Sequence, residues 1–372
     1  MGQWKTRKTP PQVIQGMTLG TLLKVLARNG YLVDPQCLGR LAHLVILGVF
    51  NSVFGAAETV FNGRKIRRQR IDDSPLFILG HWRSGTTHLQ NLLSHDDNFT
   101  CPTAFQASFP HHCIYSRLGR RVFDYIAPTK RPMDNVVFAA DVPHEDEFAL
   151  AAESTVSPYV RVLFPVTGNS AYEALDPQVV PPEALEKWKK SLILFLKKVA
   201  YAPNVERIVL KSPPHLARVS VLTDMFPKAQ FLHIVRNPYK VYLSFRQLWQ
   251  NTFAYSHLQI PNQQLVENLI FSWYVEMYSV FERDRGLIPE GSLCEIKFED
   301  LEAEPIETLR GVYEALNLPG FDAFEKKVSS YLKSIEGYRK NEYQVDEITR
   351  EKVACLWWRT FEQYGYILFD SV

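Results

Sequence analysis

The chain has 372 residues, 46% hydrophobic and 22% charged, which excludes a disordered tail or a disulfide-stapled mini-protein and requires a sizeable buried core. With 42 Lys and Arg against 40 Asp and Glu the net charge is only +2, which argues against a nucleic-acid-binding domain with a general basic excess. The sum hides an asymmetry: residues 1–70 carry eleven basic and two acidic side chains, a net of +9, and the other 302 residues stand at −7.

That asymmetry divides the chain into a basic, apolar, helical front segment, 1–70, and a larger unit, 71–372. The 17 residues between Arg40 and Glu58 (LAHLVILGVFNSVFGAA) carry no formal charge. They fit three readings: a helix at the lower limit of bilayer-spanning length, a helix lying in a membrane interface, or an ordinary core helix. His43, Asn51, Ser52 and two glycines weaken the spanning reading, so a type II membrane anchor is disfavoured. The basic excess points to contact with an anionic membrane surface, the blander alternative being a solvated face. Cys37, Cys101, Cys113, Cys294 and Cys355 are odd in number and lack any C-x-x-C pair, as expected of reduced thiols in a cytoplasmic protein.

After Asp-Asp-Ser-Pro at 72–75, Leu76–Leu79 reads as a short buried strand ending at Gly80, with a helix from Thr87. Residues 101–182 are rich in proline and aromatic side chains and read as an irregular insertion of loops and short elements. A helix over 183–201, a second buried strand at Arg207–Leu210 and a helix from His215 to Phe226 follow. Phe231–Val235 is a third strand, leading through Arg236-Asn237-Pro238 into a helix from Tyr239 to about Trp249. A long helix near 263–284, a strand near Leu293–Phe298 and two or three helices complete the chain. This alternation predicts a three-layer α/β fold with a central, mostly parallel sheet and helices on both faces, its ligand site outside the carboxyl ends of the strands.

Three loops there carry the chemistry. Gly80-His81-Trp82-Arg83-Ser84-Gly85-Thr86-Thr87 has the G-x-x-x-x-G spacing of a phosphate-cradling turn between strand and helix. A nucleoside triphosphatase has Lys where this chain has Thr86, and the basic residue here is Arg83 instead. The strands near 210 and 235 end in Lys and Arg, not in an Asp for Mg²⁺, which suits an anionic donor that needs no metal.

Arg83-Ser84-Gly85-Thr86-Thr87 resembles the [KR]-x-G-T-[TS] loop of P-loop sulfotransferases that use 3′-phosphoadenosine 5′-phosphosulfate (PAPS). Ser244 follows Arg236 by eight residues, the spacing of that family's 3′-phosphate-binding pair. Leu210-Lys211-Ser212-Pro213-Pro214-His215 resembles the L-K-S-P-x-H segment of the broad bacterial-type branch. Further echoes are Arg131–Asn135, His144–Phe148, Phe298-Glu299-Asp300-Leu301 and Tyr338-Arg339-Lys340-Asn341, so that the resemblance covers roughly 75–365.

The resemblance implies sulfuryl transfer from PAPS to a hydroxyl, releasing adenosine 3′,5′-bisphosphate (PAP) without a metal. Arg83 would be the leaving-group cation, with Ser84, Gly85, Thr86 and Thr87 holding the 5′-phosphosulfate and Arg236 with Ser244 the 3′-phosphate. Lys211 would assist the sulfonate oxygens, and Tyr338, Arg339, Lys340 and Asn341 would close over the donor. Glu145 is the first choice of base and His215 the second, with His144 and Glu147 still open. Aromatic residues of the insertion (Phe105, Phe109, Tyr115, Phe123, Tyr125, Phe138) point to a lipid or other apolar alcohol as acceptor, with a carbohydrate as the alternative. Rivals of another class are a P-loop kinase or NTPase, and a membrane adaptor. Nucleic acid is not an expected partner, the expected location is cytoplasmic and peripheral at a membrane, and the oligomeric state is left open.

Overall fold

Four-residue apolar runs without alternation leave neither face fit for water, so they pair where both faces are covered. The computed structural model describes residues 13–114, 117–126, 139–168, 171–201, 207–335 and 345–368. In it β1 (Leu76–Leu79), β2 (Phe99–Thr100), β3 (Arg207–Lys211), β4 (Gln230–Val235) and β5 (Leu293–Lys297) form one sheet in the order β2-β3-β1-β4-β5. All neighbouring strands run parallel. Every residue of β1 is fully buried, and its side chains alternate between two cores: Phe77 and Leu79 on one face, Leu76 and Ile78 on the other.

The front segment contains α1 (Leu19–Arg28) and α2 (Leu38–Arg68); α3 (Thr86–Leu93) follows β1. Between β2 and β3 lie α4 (Ala104–Ser108), α5 (Arg117–Ile126), α6 (Glu147–Ser154), α7 (Pro158–Leu163) and α8 (Pro182–Val199). Helix α9 (Val219–Met225) joins β3 to β4, and α10 (Pro238–Asn251) and α11 (Gln263–Asp284) lead to β5. Last come α12 (Phe298–Ala303), α13 (Pro305–Ala315), α14 (Phe321–Ser334) and α15 (Glu347–Tyr364). Leu89 of α3, Val312 of α13 and Val328 of α14 cover one face of the sheet; Trp188 of α8, Phe245 of α10, Met277 of α11 and Trp357 of α15 belong to the core on the other.

This is the expected three-layer architecture, with differences in detail. The edge strand β2, two residues long, carries no apolar run and was not expected. The single helix expected from His215 to Phe226 is a 3₁₀ turn at Pro213–Ala217 followed by α9. Helical backbone is interrupted at Arg218 (φ −120°, ψ 17°), whose side chain turns inward to an acidic partner. Among the described residues four helices follow β5, one more than the upper expectation, because Pro305 opens a new helix directly after the short α12.

The front segment is welded to the rest. Val13, Ile14 and Met17, with Leu22, Val25 and Leu26 of α1, join the same core as Phe77 and Leu79 of the sheet. Because β1 lies between β3 and β4, the loops after these three strands open side by side at their carboxyl ends.

Candidate active site

The loop after β1 must turn the chain from strand to helix within six residues, Gly80 to Gly85. Gly85 has φ +105°, and a Cβ there would stand 2.2 Å from Cδ2 of Phe298, so both conformation and space demand glycine. Arg83 also adopts a positive φ, 70°, which costs a non-glycine residue and marks a constrained loop. Gly85 is the N-cap of α3 and supplies no side-chain cap, which leaves the helix N-terminus without the side-chain competitor that an anion would have to displace. Ser84 Oγ is buried and has no hydrogen-bond partner among the described residues, as expected of a group reserved for a ligand oxygen. A helix N-terminus without a side-chain cap, a spare hydroxyl and cations fit a phosphosulfate.

The third loop closes on the first. Arg83 Nε donates to Ser244 Oγ at 2.7 Å, and Arg236 Nη1 donates to the Arg83 carbonyl at 3.1 Å. Thus Arg83, Arg236 and Ser244, expected as two separate groups, form one basic corner. Phe298 supports it from beneath, its ring 4.3 Å from the Arg236 guanidinium carbon and also against Gly85. Glu299 accepts the Asn237 N–H at 3.1 Å and the Tyr366 hydroxyl at 2.9 Å, while the Asn237 side chain caps α10. The Phe-Glu-Asp-Leu segment therefore positions the site.

Across the loop, three consecutive acidic residues of the insertion meet the segment after β3. Lys211 Nζ lies 2.8 Å from Glu145 Oε1. Asp146 accepts from Ser212 Oγ at 3.0 Å and pairs with His215 Nε2 at 2.7 Å, and Glu147 is bidentate to Arg218 at 2.5 and 3.0 Å. Ser212 Oγ also accepts the Glu147 N–H at 2.8 Å. The acidic run is consequently a buried ladder and not a solvated face.

Its rungs differ in access. The side chains of His215, Asp146 and Glu147 are 0% exposed, whereas that of Glu145 is 14% exposed. Glu145 Oε2 accepts the Tyr159 hydroxyl at 2.5 Å, and Trp82 Nε1 donates to the same Tyr159 oxygen at 3.0 Å. An unbroken chain runs from the loop after β1 at Trp82 through Tyr159 and Glu145 to Lys211. Burial by itself raises the Glu145 pKa, but the charges of Lys211 and His144 and the two donated hydrogen bonds hold it below the usual carboxylate range. Burial and the neighbouring carboxylate push the Tyr159 phenol well up, so it stays a donor. Asp146 is likewise held low: burial raises it, and His215 and Ser212 more than offset that.

The structure thus gathers Arg83, Ser84, Gly85, Thr86, Thr87, Arg236 and Ser244 on one side and Glu145 with Lys211 on the other. It encloses His215 and Glu147, two of the candidate bases, behind their partners. His144 packs its ring on Phe148, centroids 4.7 Å apart. Tyr338, Arg339, Lys340 and Asn341 lie outside the described residues. Sequence reasoning missed Trp82 and Tyr159; Trp82 sits inside the motif, but Tyr159 belongs to no motif and left no signal.

The model of the sulfotransferase family (Sulfotransfer_3) matches residues 75–323. The chain belongs to the sulfotransferase family. An omega-hydroxy-beta-dihydromenaquinone-9 sulfotransferase, Stf3, of Mycobacterium bovis is 32% identical over 366 residues, 98% of this chain and 94% of its own. The protein of the same name from Mycobacterium tuberculosis gives the same figures. At that coverage the likeness takes in most of the front segment, which precedes the family model. Crystal structures of two sulfotransferases share the fold: STF1 of Mycobacterium tuberculosis H37Rv (TM-score 0.65, 18% identity, 91% of each chain) and STF9 of Mycobacterium avium (TM-score 0.60, 17% identity, 97% of this chain and 98% of that one). The protein is therefore an enzyme of the sulfotransferase type.

Proposed function

We propose that this sulfotransferase carries the sulfuryl group of PAPS to the hydroxyl of an apolar, lipid-like alcohol, with Glu145 as the base. The observation that carries the reading is the Glu145–Lys211 pair, tied through Tyr159 to Trp82 of the phosphate-cradling loop. The acceptor oxygen forms its bond to sulfur as the bond from sulfur to the 5′-phosphate oxygen breaks, the acceptor proton passing to Glu145. Arg83 neutralises the charge that gathers on the leaving phosphate, and Arg236 with Ser244 holds the 3′-phosphate. Lys211 is shared between Glu145 and the incoming sulfonate. As it turns to the sulfonate, its lowering influence on Glu145 weakens and the carboxylate becomes the stronger base that proton removal needs.

The acceptor class draws support from the mycobacterial relative, whose name specifies a hydroxylated menaquinone and which this chain matches almost end to end. The free state of all five cysteines fits a reducing, cytoplasmic location. The test is Glu145→Gln beside His215→Ala, with transfer from PAPS to a long-chain alcohol and PAP affinity measured for each. Glu145→Gln is expected to cut transfer by about 10²- to 10⁴-fold while leaving PAP affinity nearly unchanged. A Gln variant that keeps its rate overturns the assignment of the base. Thermal stabilisation by ATP with Mg²⁺, and none by PAP, would overturn the donor.

A further inference from the structure

Helix α2, 31 residues long, is built inside out. The residues it turns toward the body recur at helical spacing: Leu44, Gly48, Asn51, Glu58, Asn62, Gly63 and Ile66. Three of these seven are polar and two are glycines. The opposite face carries Ile46, Val49, Phe50, Val53, Phe54 and Val60, which are 45–77% exposed. A helix on a water-soluble body normally shows the reverse arrangement.

Two polar residues of the inner face anchor the helix to the body. Asn51 donates to the carbonyls of Gln15 and Met17, both at 2.8 Å, and its Oδ1 meets His112 Nε2 at 3.1 Å. Glu58 accepts the Ile114 N–H at 2.9 Å and lies 3.1 Å from Lys198 of α8. Gly48 and Gly55 bring the helix close to Leu19 and His111, where a Cβ would come within 3.1 and 3.0 Å. Farther along, Lys197 donates to the Arg67 carbonyl and Gln69 to that of Ala200. The helix is fastened to the body along most of its length and cannot cross a bilayer without abandoning a buried carboxylate and its ammonium partner.

The apolar stripe runs directly into charge. At 3.6 residues per turn Arg64, Arg67 and Arg68 continue the arc of Ile46, Phe50 and Val53, and all three are exposed, with Lys65 and Arg70 beside them. Helix α5 packs by Phe123 on Phe105 and Phe109, in the same segment that receives Asn51 and Glu58, and it exposes Val122 and Tyr125. An apolar stripe that ends in a cationic cluster matches the boundary between acyl chains and anionic headgroups.

We propose that α2 docks this enzyme lengthwise on an anionic lipid bilayer, with its apolar stripe at the acyl boundary and its basic end on the headgroups. The docking is separate from catalysis and is read without any transfer reaction. The full chain is mixed with vesicles of phosphatidylcholine and phosphatidylglycerol, or of phosphatidylcholine alone, and sedimented. The wild type is expected to pellet with the anionic vesicles and to be released by high salt. Phe50→Ser with Val53→Ser, and separately Arg64→Glu with Arg67→Glu, should each lower partitioning at least tenfold. Unchanged melting and PAP binding of these variants would show that they are folded. Binding by the variants equal to wild type, or no binding by the wild type, overturns the proposal. So does a dimer in analytical ultracentrifugation that the serine pair dissociates, since the face would then belong to a second copy.

Discussion

Gly85 carries two demands at once, a left-handed backbone (φ +105°) and a missing Cβ beneath which the Phe298 ring fits. Gly85→Ala is expected to weaken PAP binding by at least about tenfold, or about 1.4 kcal/mol, measured by calorimetry. Adding Phe298→Leu should restore only part of this, because the backbone strain remains. Such positions were legible in the sequence, since a glycine-bounded turn between a strand and a helix reports its own geometry. The base was not. Glu145, His215, His144 and Glu147 were all candidates, because four titratable side chains in two short segments do not reveal which of them faces a ligand. Packing distinguishes them: Asp146 takes His215, Arg218 takes Glu147, the His144 ring lies on Phe148, and Glu145 stands beside Lys211.

Among the elements, the junction between the insertion and the segment after β3 holds the site in shape. Arg218 and Glu147 are nearly sealed, the guanidinium bidentate to the carboxylate and 4.7 Å from the Trp188 ring centroid. Removing one partner strands a buried charge, so Arg218→Met should cost about 3–5 kcal/mol in urea unfolding. The double variant Arg218→Met with Glu147→Leu should regain much of that loss, since apolar groups of similar volume need no partner. The same junction explains the broken helix at 215–226. From the sequence one helix is expected there, and the inward-turned Arg218, whose backbone is not helical, divides it. A side-chain partner 71 residues away leaves no trace in local periodicity.

For the molecule as a whole, the front segment and the catalytic body meet at a buried group of charges. Lys198 of α8 stands 3.1 Å from Glu58 of α2 and 4.0 Å from Glu153 of α6. One ammonium serves two carboxylates, and burial pushes Glu153 from its ordinary value of 4.5 up to about 7. Its folded pKa exceeds its unfolded one, so between those values the folded protein binds the extra proton and loses stability as pH rises. Above about 7 the penalty is complete. Glu153→Gln should therefore raise Tm by a few degrees at pH 8, with the gain shrinking toward nothing as pH falls to about 4.5. A gain that did not vary with pH would show that Glu153 is not held protonated by burial.

By itself the sequence determined the central strands, their parallel α/β arrangement and the glycine-bounded loop after β1. Unbroken apolar runs, glycine-bounded turns and the Arg236-to-Ser244 spacing are local features, and local backbone geometry follows from them. Only the tertiary structure decided which carboxylate stands at the loop and which way α2 faces. Glu145 and Lys211 are 66 residues apart, and proximity at that separation exists only once the sheet has formed. An uncharged run of 17 residues predicts a helix that must hide apolar surface from water, but what hides it depends on what lies against each face. Here the body takes Leu44, Ile66 and the polar and small residues of α2 and leaves most of its apolar side chains outside.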